Sequence, residues 1–201
     1  MSTYVEDRLQ ILDLMNGWMH RDLGEWDKLK DLFHPDGTIE ITWFNGLGFD
    51  FVEASKGMGA SDFHNKHLIG TPTVTFNNDK AIVETNAMIL GENVRLDIAC
   101  CTHNRFWDRV EKRDGRWKIS NRVAIYDMSA FQFPIKNYEV DDDIVKKYPR
   151  EYAALAYCLE LSGFPIKSVQ ATKGSSLEKQ IKAEGLKWLA VESHPGGHQR
   201  F

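Results

Sequence analysis

His64 and His67 lie three residues apart in the segment SDFHNKHLIG, residues 61–70, and both are able to do chemistry. Three interpretations are open: a pair of metal ligands, a solvated helix end, or one catalytic base beside an uninvolved neighbour. A catalytic zinc needs a third protein ligand, and the sequence has no H-E-x-x-H motif. We therefore predict no metal site, and His67 remains either a hydrogen-bonded core residue or a base.

Asp22 and Arg122 are the other candidates, and each has an ordinary structural alternative. Asp22 and Glu25 have the spacing of a capping box, which predicts that Asp22 starts a helix, although the same carboxylate can also face a cavity. Strand alternation places Arg122 and Tyr126 on one face, opposite Ile119, Val123 and Ile125. A β-bulge would shift that alternation. The alternative for Arg122 is a salt bridge on a solvated surface.

The elements before residue 72 are mainly helical. Apolar spacing predicts a helix over residues 4–21, with Val5, Leu9 and Met19 among its buried positions, and a short helix over 25–33. HPDG, residues 34–37, predicts a turn, and the alternating residues 38–44 predict a first strand. Residues 57–66 are predicted to form a loop or a short helix.

From residue 72 onward the pattern favours strands, with a tight hairpin turn at residues 113–116. Helices followed by a meandering antiparallel sheet predict an α+β fold, a cone-shaped α+β barrel with helices packed across a curved sheet. The apolar face of that sheet predicts a homodimer or homotrimer.

The remaining residues, 131–201, are predicted to form a C-terminal helical extension to a domain spanning residues 1–130. Helices are predicted at 151–164 and 175–190, the second opened by a Ser175 cap. The tail after residue 192 is predicted to be flexible, which makes His194 and His198 incidental.

Composition excludes several classes of function. A net charge of −4 over 201 residues provides no field for nucleic acid or an anionic membrane. No apolar run approaches the roughly 20 residues of a membrane span, and the N-terminus is charged where a signal peptide is apolar. Three cysteines without a C-x-x-C spacing predict no disulfide framework. We therefore expect a cytoplasmic protein, and the absence of nucleotide-binding motifs predicts no cofactor.

Three segments resemble the SnoaL-like branch of the nuclear transport factor two superfamily: RDLGEWDKLKDLFHPDGTIEI, HLIGTPTVTF and RFWDRVEKRDGRWKISNRVAIYD. The joint spacing of aspartate, histidine and arginine is similar to that of the scytalone dehydratase and lindane dehydrochlorinase group. The resemblance implies a dyad of Asp22 and His67, with Arg122 as a pocket cation. It also implies that the cone is lined by Asn104, Phe106, Ala124 and Tyr126. The family commonly has a lysine or tyrosine on its first helix, where this chain has Gly17 and Trp18.

The hypothesis that follows is a cofactor-independent lyase with His67 as base. Its substrate would be small and aromatic or polycyclic, and would lose water, another small group or formaldehyde. Trp18, Trp43 and Phe106 are candidates for an aromatic wall suited to such a molecule. The alternatives are an isomerase or polyketide cyclase using the same base, and a non-catalytic ligand carrier or small subunit of a ring-hydroxylating dioxygenase.

Overall fold

A computed structural model describes residues 4–133 and 137–191 of the chain. Its first half contains the elements α1 (Tyr4–Asn16), α2 (Met19–Asp22), α3 (Trp26–Asp31), β1 (Phe33–Ile41), β2 (Phe44–Leu47) and α4 (Gly48–Gly59). Five strands follow, β3 (Phe63–Ile69), β4 (Thr73–Asn77), β5 (Lys80–Asn93), β6 (Ile98–Arg113) and β7 (Arg116–Gln132). The chain then forms α5 (Asp142–Val145), α6 (Ala153–Leu161), β8 (Ala171–Thr172) and α7 (Ser176–Ala190).

The strands form one curled sheet in the order β2-β1-β7-β6-β5-β3, with β4 paired to β5 and β8 paired to β7. The pairs β1–β7 and β7–β8 are parallel, and the other pairs are antiparallel. The predicted α+β cone is therefore confirmed, with two parallel pairings that the prediction lacked. The two-residue turn between β6 and β7 is also confirmed, with Asp114 and Gly115 at positive φ.

The first predicted helix is two helices. Gly17 lies between α1 and α2, packed so closely on Leu32 that a Cβ at this position would lie 2.6 Å from the Leu32 side chain. Three positions of the predicted buried stripe, Val5, Leu9 and Met19, are exposed. The buried apolar residues of this region are Ile11, Leu14, Met15 and Trp18.

Residues 34–37 do not form the predicted turn but lie within β1. Long-range contacts explain the difference. The His34 ring donates a hydrogen bond to the Glu111 carbonyl at 3.0 Å. β1 pairs with β7 on both sides of this stretch, with a register shift between Phe33 and Thr38. The prediction of a loop or a short helix over 57–66 is right only in part, since α4 extends to Gly59, residues 60–62 form the connection, and β3 begins at Phe63.

A bulge in β7 changes which side chains share a face. The register with β6 shifts between Arg109 and Val110, whose partners are Asn121 and Ile119. As a result, Ile119 lies in the inner core with Trp18 and Phe106, whereas Ile125 packs in a separate outer cluster. The prediction that Ile119 shares a face with Ile125 is therefore wrong.

Helix α7 covers the outer face of the sheet. Its residues pack over an apolar cluster made of Ile82, Trp107, Ile125, Ala171 and Leu189. The helix begins where predicted, with the Ser175 hydroxyl accepting a hydrogen bond from the Glu178 N–H at 3.1 Å. Because the chain itself covers this surface, the surface gives no reason to expect a second copy there.

None of the helices between residues 4 and 191 that the structure describes is long and apolar enough to cross a membrane. The predicted flexible tail, with His194 and His198, lies outside the described residues.

Two glycine substitutions test the packing of α7. A Cβ at Gly185 would lie 2.6 Å from Trp107 Nε1, whereas one at Gly57 of α4 meets nothing within 4 Å. Gly57→Ala should raise the free energy of unfolding by about 0.5–1 kcal/mol through helix propensity. Gly185→Ala should lower it, because overpacking costs about 1–3 kcal/mol. Urea unfolding measures both, and a gain at both positions would show that α7 does not pack against Trp107.

Candidate active site

Asp22 and His67 are 45 positions apart in sequence and in contact in the structure. Asp22 is the last residue of α2, and His67 lies in β3. Asp22 Oδ1 is 2.6 Å from His67 Nδ1, and Asp22 Oδ2 accepts the His67 backbone N–H at 2.7 Å. The side chains are only 1% and 6% exposed. The Asp22 carboxylate therefore holds strand β3 against α2 and also sets the orientation of the His67 ring.

Asp22 does not cap a helix. The residue at the start of α3 is Glu25, which makes no side-chain cap hydrogen bond. Its carboxylate instead contacts His20 at 2.6 Å and Lys28 at 2.7 Å. The capping-box prediction is wrong because both Asp22 oxygens are committed to His67.

Strand alternation separates the two histidines of the 61–70 segment. His67 points inward, whereas the His64 side chain is 57% exposed and lies 4.0 Å from Glu92. Side chains at odd spacing on a strand leave opposite faces, so this pair cannot hold one metal ion. No group of three histidine, cysteine, aspartate or glutamate side chains suited to a metal occurs among the described residues.

The environment keeps the His67 ring neutral at pH 7. Burial lowers the pKa of His67, the charges of Arg21 and Arg122 lower it further, and the bond to Asp22 opposes them. Burial alone would raise the pKa of Asp22, but the hydrogen bonds and charge of His67 outweigh it, so that pKa is lowered. An ionised carboxylate only accepts hydrogen bonds, so Nδ1 carries the ring proton and Nε2 has the free lone pair.

A cavity lies in front of this ring. Its wall includes His67 and five of the six other side chains expected to line it: Trp18, Trp43, Asn104, Phe106 and Tyr126. The sixth, Ala124, is buried in the core and is not on this wall. This cavity, called the slot below, encloses about 420 Å³. Its mainly aromatic and aliphatic lining suits an apolar ligand.

The C-terminal extension contributes to the same cavity. Leu155 and Leu159 of α6 line it, and the Phe164 ring packs 6.0 Å from the Trp43 ring. Trp43 itself lies just after β1 rather than in the strand predicted over 38–44. On the opposite wall, Trp18 is edge-on to His67 at a ring separation of 5.9 Å.

Several buried polar groups of the wall have no hydrogen-bond partner among the residues that the structure describes. They include Trp18 Nε1 and both polar atoms of the Asn104 amide. Tyr126, by contrast, is satisfied by Thr42, whose N–H donates to its oxygen at 3.2 Å. Burial raises the pKa of Tyr126 to about 12, so it is un-ionised at pH 7. Because buried polar groups are normally paired, the wall is suited to a ligand with oxygen atoms.

Arg122 is not on the cavity wall, which corrects the expectation of a pocket cation there. Its guanidinium lies 4.5 Å from the Trp18 ring centre and 4.2 Å from that of Phe106. Nε and one terminal nitrogen each bind an oxygen of buried Asp108 at 2.8 Å. Arg122 therefore supports two rings of the wall from behind and acts on His67 through its charge.

Arg21 is a charged cavity residue that sequence reasoning missed. It is 8% exposed, lines the slot, and donates to Asn65 Oδ1 at 2.5 Å. Burial lowers the pKa of its guanidinium to about 10, so it stays charged at pH 7. Two features of the sequence could have pointed to Arg21. It directly precedes Asp22, and its partner Asn65 lies on the same side of β3 as His67.

Comparison with known proteins agrees with this architecture. A family model of the SnoaL-like domain matches residues 3–123. The chain belongs to the SnoaL-like family. Pea pathogenicity protein 2 of Fusarium vanettenii is 30% identical to this SnoaL-like protein over 167 residues, which are 77% of this chain and 70% of that protein.

Two solved structures share the fold of the SnoaL-like protein at low identity. A proposed scytalone dehydratase from Novosphingobium aromaticivorans is 21% identical, with a TM-score of 0.53 over 69% of this chain and 91% of that one. A hexachlorocyclohexane dehydrochlorinase, LinA type 2, is 17% identical, with a TM-score of 0.58 over 70% and 97%. At these identities the likeness shows the fold alone.

The ring tautomer of His67 gives a test that needs no substrate. In Asp22→Asn, the amide oxygen should keep the hydrogen bond from the His67 backbone N–H. The amide NH₂ then faces Nδ1 of His67. Nδ1 must then accept, so the ring proton should move to Nε2. Nitrogen NMR of the imidazole should show this exchange, and Glu25→Gln, the same chemical change at the start of α3, should not produce it. An unchanged tautomer in Asp22→Asn would contradict the geometry.

The lowered pKa of His67 also predicts how stability depends on pH. The unfolded ring titrates near the ordinary value of 6.5, above its folded pKa. Between the folded pKa and about 6.5, the unfolded chain binds more protons than the folded chain. The contribution of His67 to the free energy of unfolding is therefore complete above about pH 6.5 and is lost as the pH falls through that range. The difference in stability between wild type and His67→Gln should therefore shrink as the pH falls below about 6.5. The exposed His64→Gln serves as control, and a constant gap for His67→Gln would be the contradicting result.

Proposed function

We propose that this SnoaL-like protein is a cofactor-independent lyase that eliminates a small group from an aromatic or polycyclic substrate. The observation that carries the proposal is the Asp22–His67 pair on an aromatic slot. Nδ1 of His67 is hydrogen-bonded to the Asp22 carboxylate, and Nε2 of His67 has no hydrogen-bond partner in the part of the chain that the structure describes. A neutral imidazole held in this way is suited to act as a general base.

The proposed step begins with proton transfer to His67. Nε2 takes a proton from a carbon next to a carbonyl or an electron-poor ring of the substrate. The electrons of that C–H bond form a double bond, and the leaving group departs with the electrons of its own bond. The imidazolium, stabilised by Asp22, then returns the proton to a departing hydroxide, giving water. Atoms and charge balance, and no electron acceptor is required.

Polar groups of the wall would support this step. Trp18 Nε1 and the Asn104 amide are buried and unpaired, and each can donate to an oxygen that gains negative charge. Such donors are most effective where water is excluded and their positions are fixed in advance. In this proposal Arg122 and Asp108 are positioning residues, because they hold the Trp18 and Phe106 rings and do not face the substrate.

The same base can serve two related reactions. A retro-aldol step would begin with removal of a hydroxyl proton and release formaldehyde. An isomerase or polyketide cyclase would return the proton to another atom and lose nothing. Product mass separates the three outcomes, since it falls by the mass of water or of formaldehyde, or does not change. We place elimination first because two proteins of the same fold are named for it, a proposed scytalone dehydratase and a hexachlorocyclohexane dehydrochlorinase.

Assembly as a homodimer or homotrimer stays a prediction. The sheet surface under α7 is already buried within the chain, so a contact between copies would have to use another surface. Light scattering of the purified protein measures this directly.

Replacing the dyad should remove turnover without unfolding the protein. A screen of cyclic β-hydroxy ketones fused to an aromatic ring, followed by absorbance of the new double bond, provides the assay. His67→Ala should lose about 10²–10⁴ in turnover, the contribution of general base catalysis. Asp22→Asn should lose a comparable factor because its ring tautomer is wrong. His64→Ala should match wild type, and a chelator should have no effect. Full activity of Asp22→Asn would contradict the dyad, and an absence of turnover across the whole screen would favour a ligand carrier.

A further inference from the structure

Arg21 differs from two other enclosed arginines in the charge of its partners. Arg105 contacts three carboxylates, those of Glu84, Asp127 and Glu178. Arg122 binds both oxygens of Asp108. Arg21 hydrogen-bonds only neutral groups among the described residues, Asn65 Oδ1 at 2.5 Å and Met58 Sδ at 3.1 Å.

The carboxylate nearest in sequence cannot compensate Arg21 by direct contact. Asp22 has one oxygen on the His67 ring and the other on the His67 backbone N–H. Arg21 Nε is buried and has no hydrogen-bond partner. A buried cation without a paired anion is costly, and proteins normally pair such charges. Arg21 thus presents a positive charge on the wall of the slot that the nearby Asp22 charge offsets only without direct contact.

We propose that the ligand of this slot carries an anionic oxygen group, a carboxylate or an ionised phenol or enol, and that Arg21 binds it. The inference rests on the proposed function for the reaction, but the binding itself requires no turnover. Asn65 and Met58 hold the guanidinium in place, which leaves its unpaired N–H for the ligand. Charged hydrogen bonds of this kind are stronger than neutral ones.

The position of Asn65 indicates where the anionic group lies relative to the base. Asn65 and His67 share the inner side of β3 and are two residues apart, a spacing of roughly 6–7 Å along a strand. The anionic group would therefore sit about one aromatic ring from the atom that loses its proton. The substrate class is a flat aromatic or polycyclic molecule with an acidic group at the end opposite its reacting carbon.

A second cavity also borders Arg21. It encloses about 470 Å³ of empty space and is lined in part by Asp22, Asn65 and Ser55, whose buried hydroxyl has no partner. Its aromatic lining is limited to Trp26 and Phe63, whereas the slot has five aromatic side chains besides His67, namely Trp18, Trp43, Phe63, Phe106 and Tyr126. An aromatic anion should therefore choose the slot, and Ser55→Ala and Asn104→Ala distinguish the two locations.

Calorimetry with cinnamate and its uncharged analogue cinnamamide tests the proposal on the full chain. Wild type should bind the acid about 10–100-fold more tightly than the amide, as expected for a charge-assisted hydrogen bond. Arg21→Gln should bind the two equally, whereas Arg95→Gln, an exposed arginine paired with Asp62, should keep the preference. Equal affinities in wild type, or a preference that survives in Arg21→Gln, would overturn the proposal.

Asn65→Asp keeps the test decisive if Arg21→Gln does not fold. This nearly isosteric change gives Arg21 an internal carboxylate at the position of Asn65 Oδ1, so the preference for cinnamate should disappear while cinnamamide still binds. A preserved preference in Asn65→Asp would overturn the proposal. A loss of binding in Ser55→Ala but not in Asn104→Ala would do the same, because it would place the anion in the second cavity.

His67→Ala separates this inference from the proposed lyase activity. The variant should lose turnover and retain the preference for the acid, since the anionic group lies at Arg21 and not at the base. If no elimination is found but the preference holds, only the lyase proposal fails. If wild type turns over neutral substrates and shows no preference, only the inference about Arg21 fails.

Discussion

The bond between Asp22 and His67 is the contact on which the rest of the site depends. Asp22 ends the four-residue helix α2, and its two oxygens take the backbone N–H and the ring nitrogen of the same strand residue. The backbone bond joins the helical layer to the edge strand β3. The ring bond sets the tautomer and aims Nε2. Because one carboxylate makes both bonds, the orientation of the base is fixed by the same contact that joins the two layers.

Positive charge inside the cone is arranged around that base. Arg122 is neutralised by Asp108 and held between two aromatic rings, whereas Arg21 lies at the wall beside neutral partners. Burial is the main cause of the lowered pKa of His67, and the charges of Arg21 and Arg122 lower it further. Together these effects keep the ring unprotonated at pH 7. A ligand that brings an anion to Arg21 would weaken one of these influences, so binding and basicity are linked at this site.

Local patterns predicted the parts of the fold that depend on local chemistry. Alternation in β7 identified Arg122 and Tyr126 as sharing a face, and the Ser175 cap marked the start of α7. The failures arose from long-range contacts. Residues 34–37 lie in β1 because that strand pairs with β7, and Ile119 changed sides at a bulge that only the register reveals. Arg21 was missed because an arginine on an amphipathic helix is ordinarily solvated, and only the tertiary structure shows that it is buried.

The central claim is that Asp22 acts through His67, and a double-mutant cycle on turnover tests it most directly. If the carboxylate works only by orienting the ring and stabilising the imidazolium, then once His67 is alanine the further change Asp22→Asn has nothing left to affect. The account predicts that His67→Ala and the double variant have the same residual rate, although Asp22→Asn alone is strongly impaired. Losses that multiply in the double variant would contradict it, because they would show that the two residues act independently.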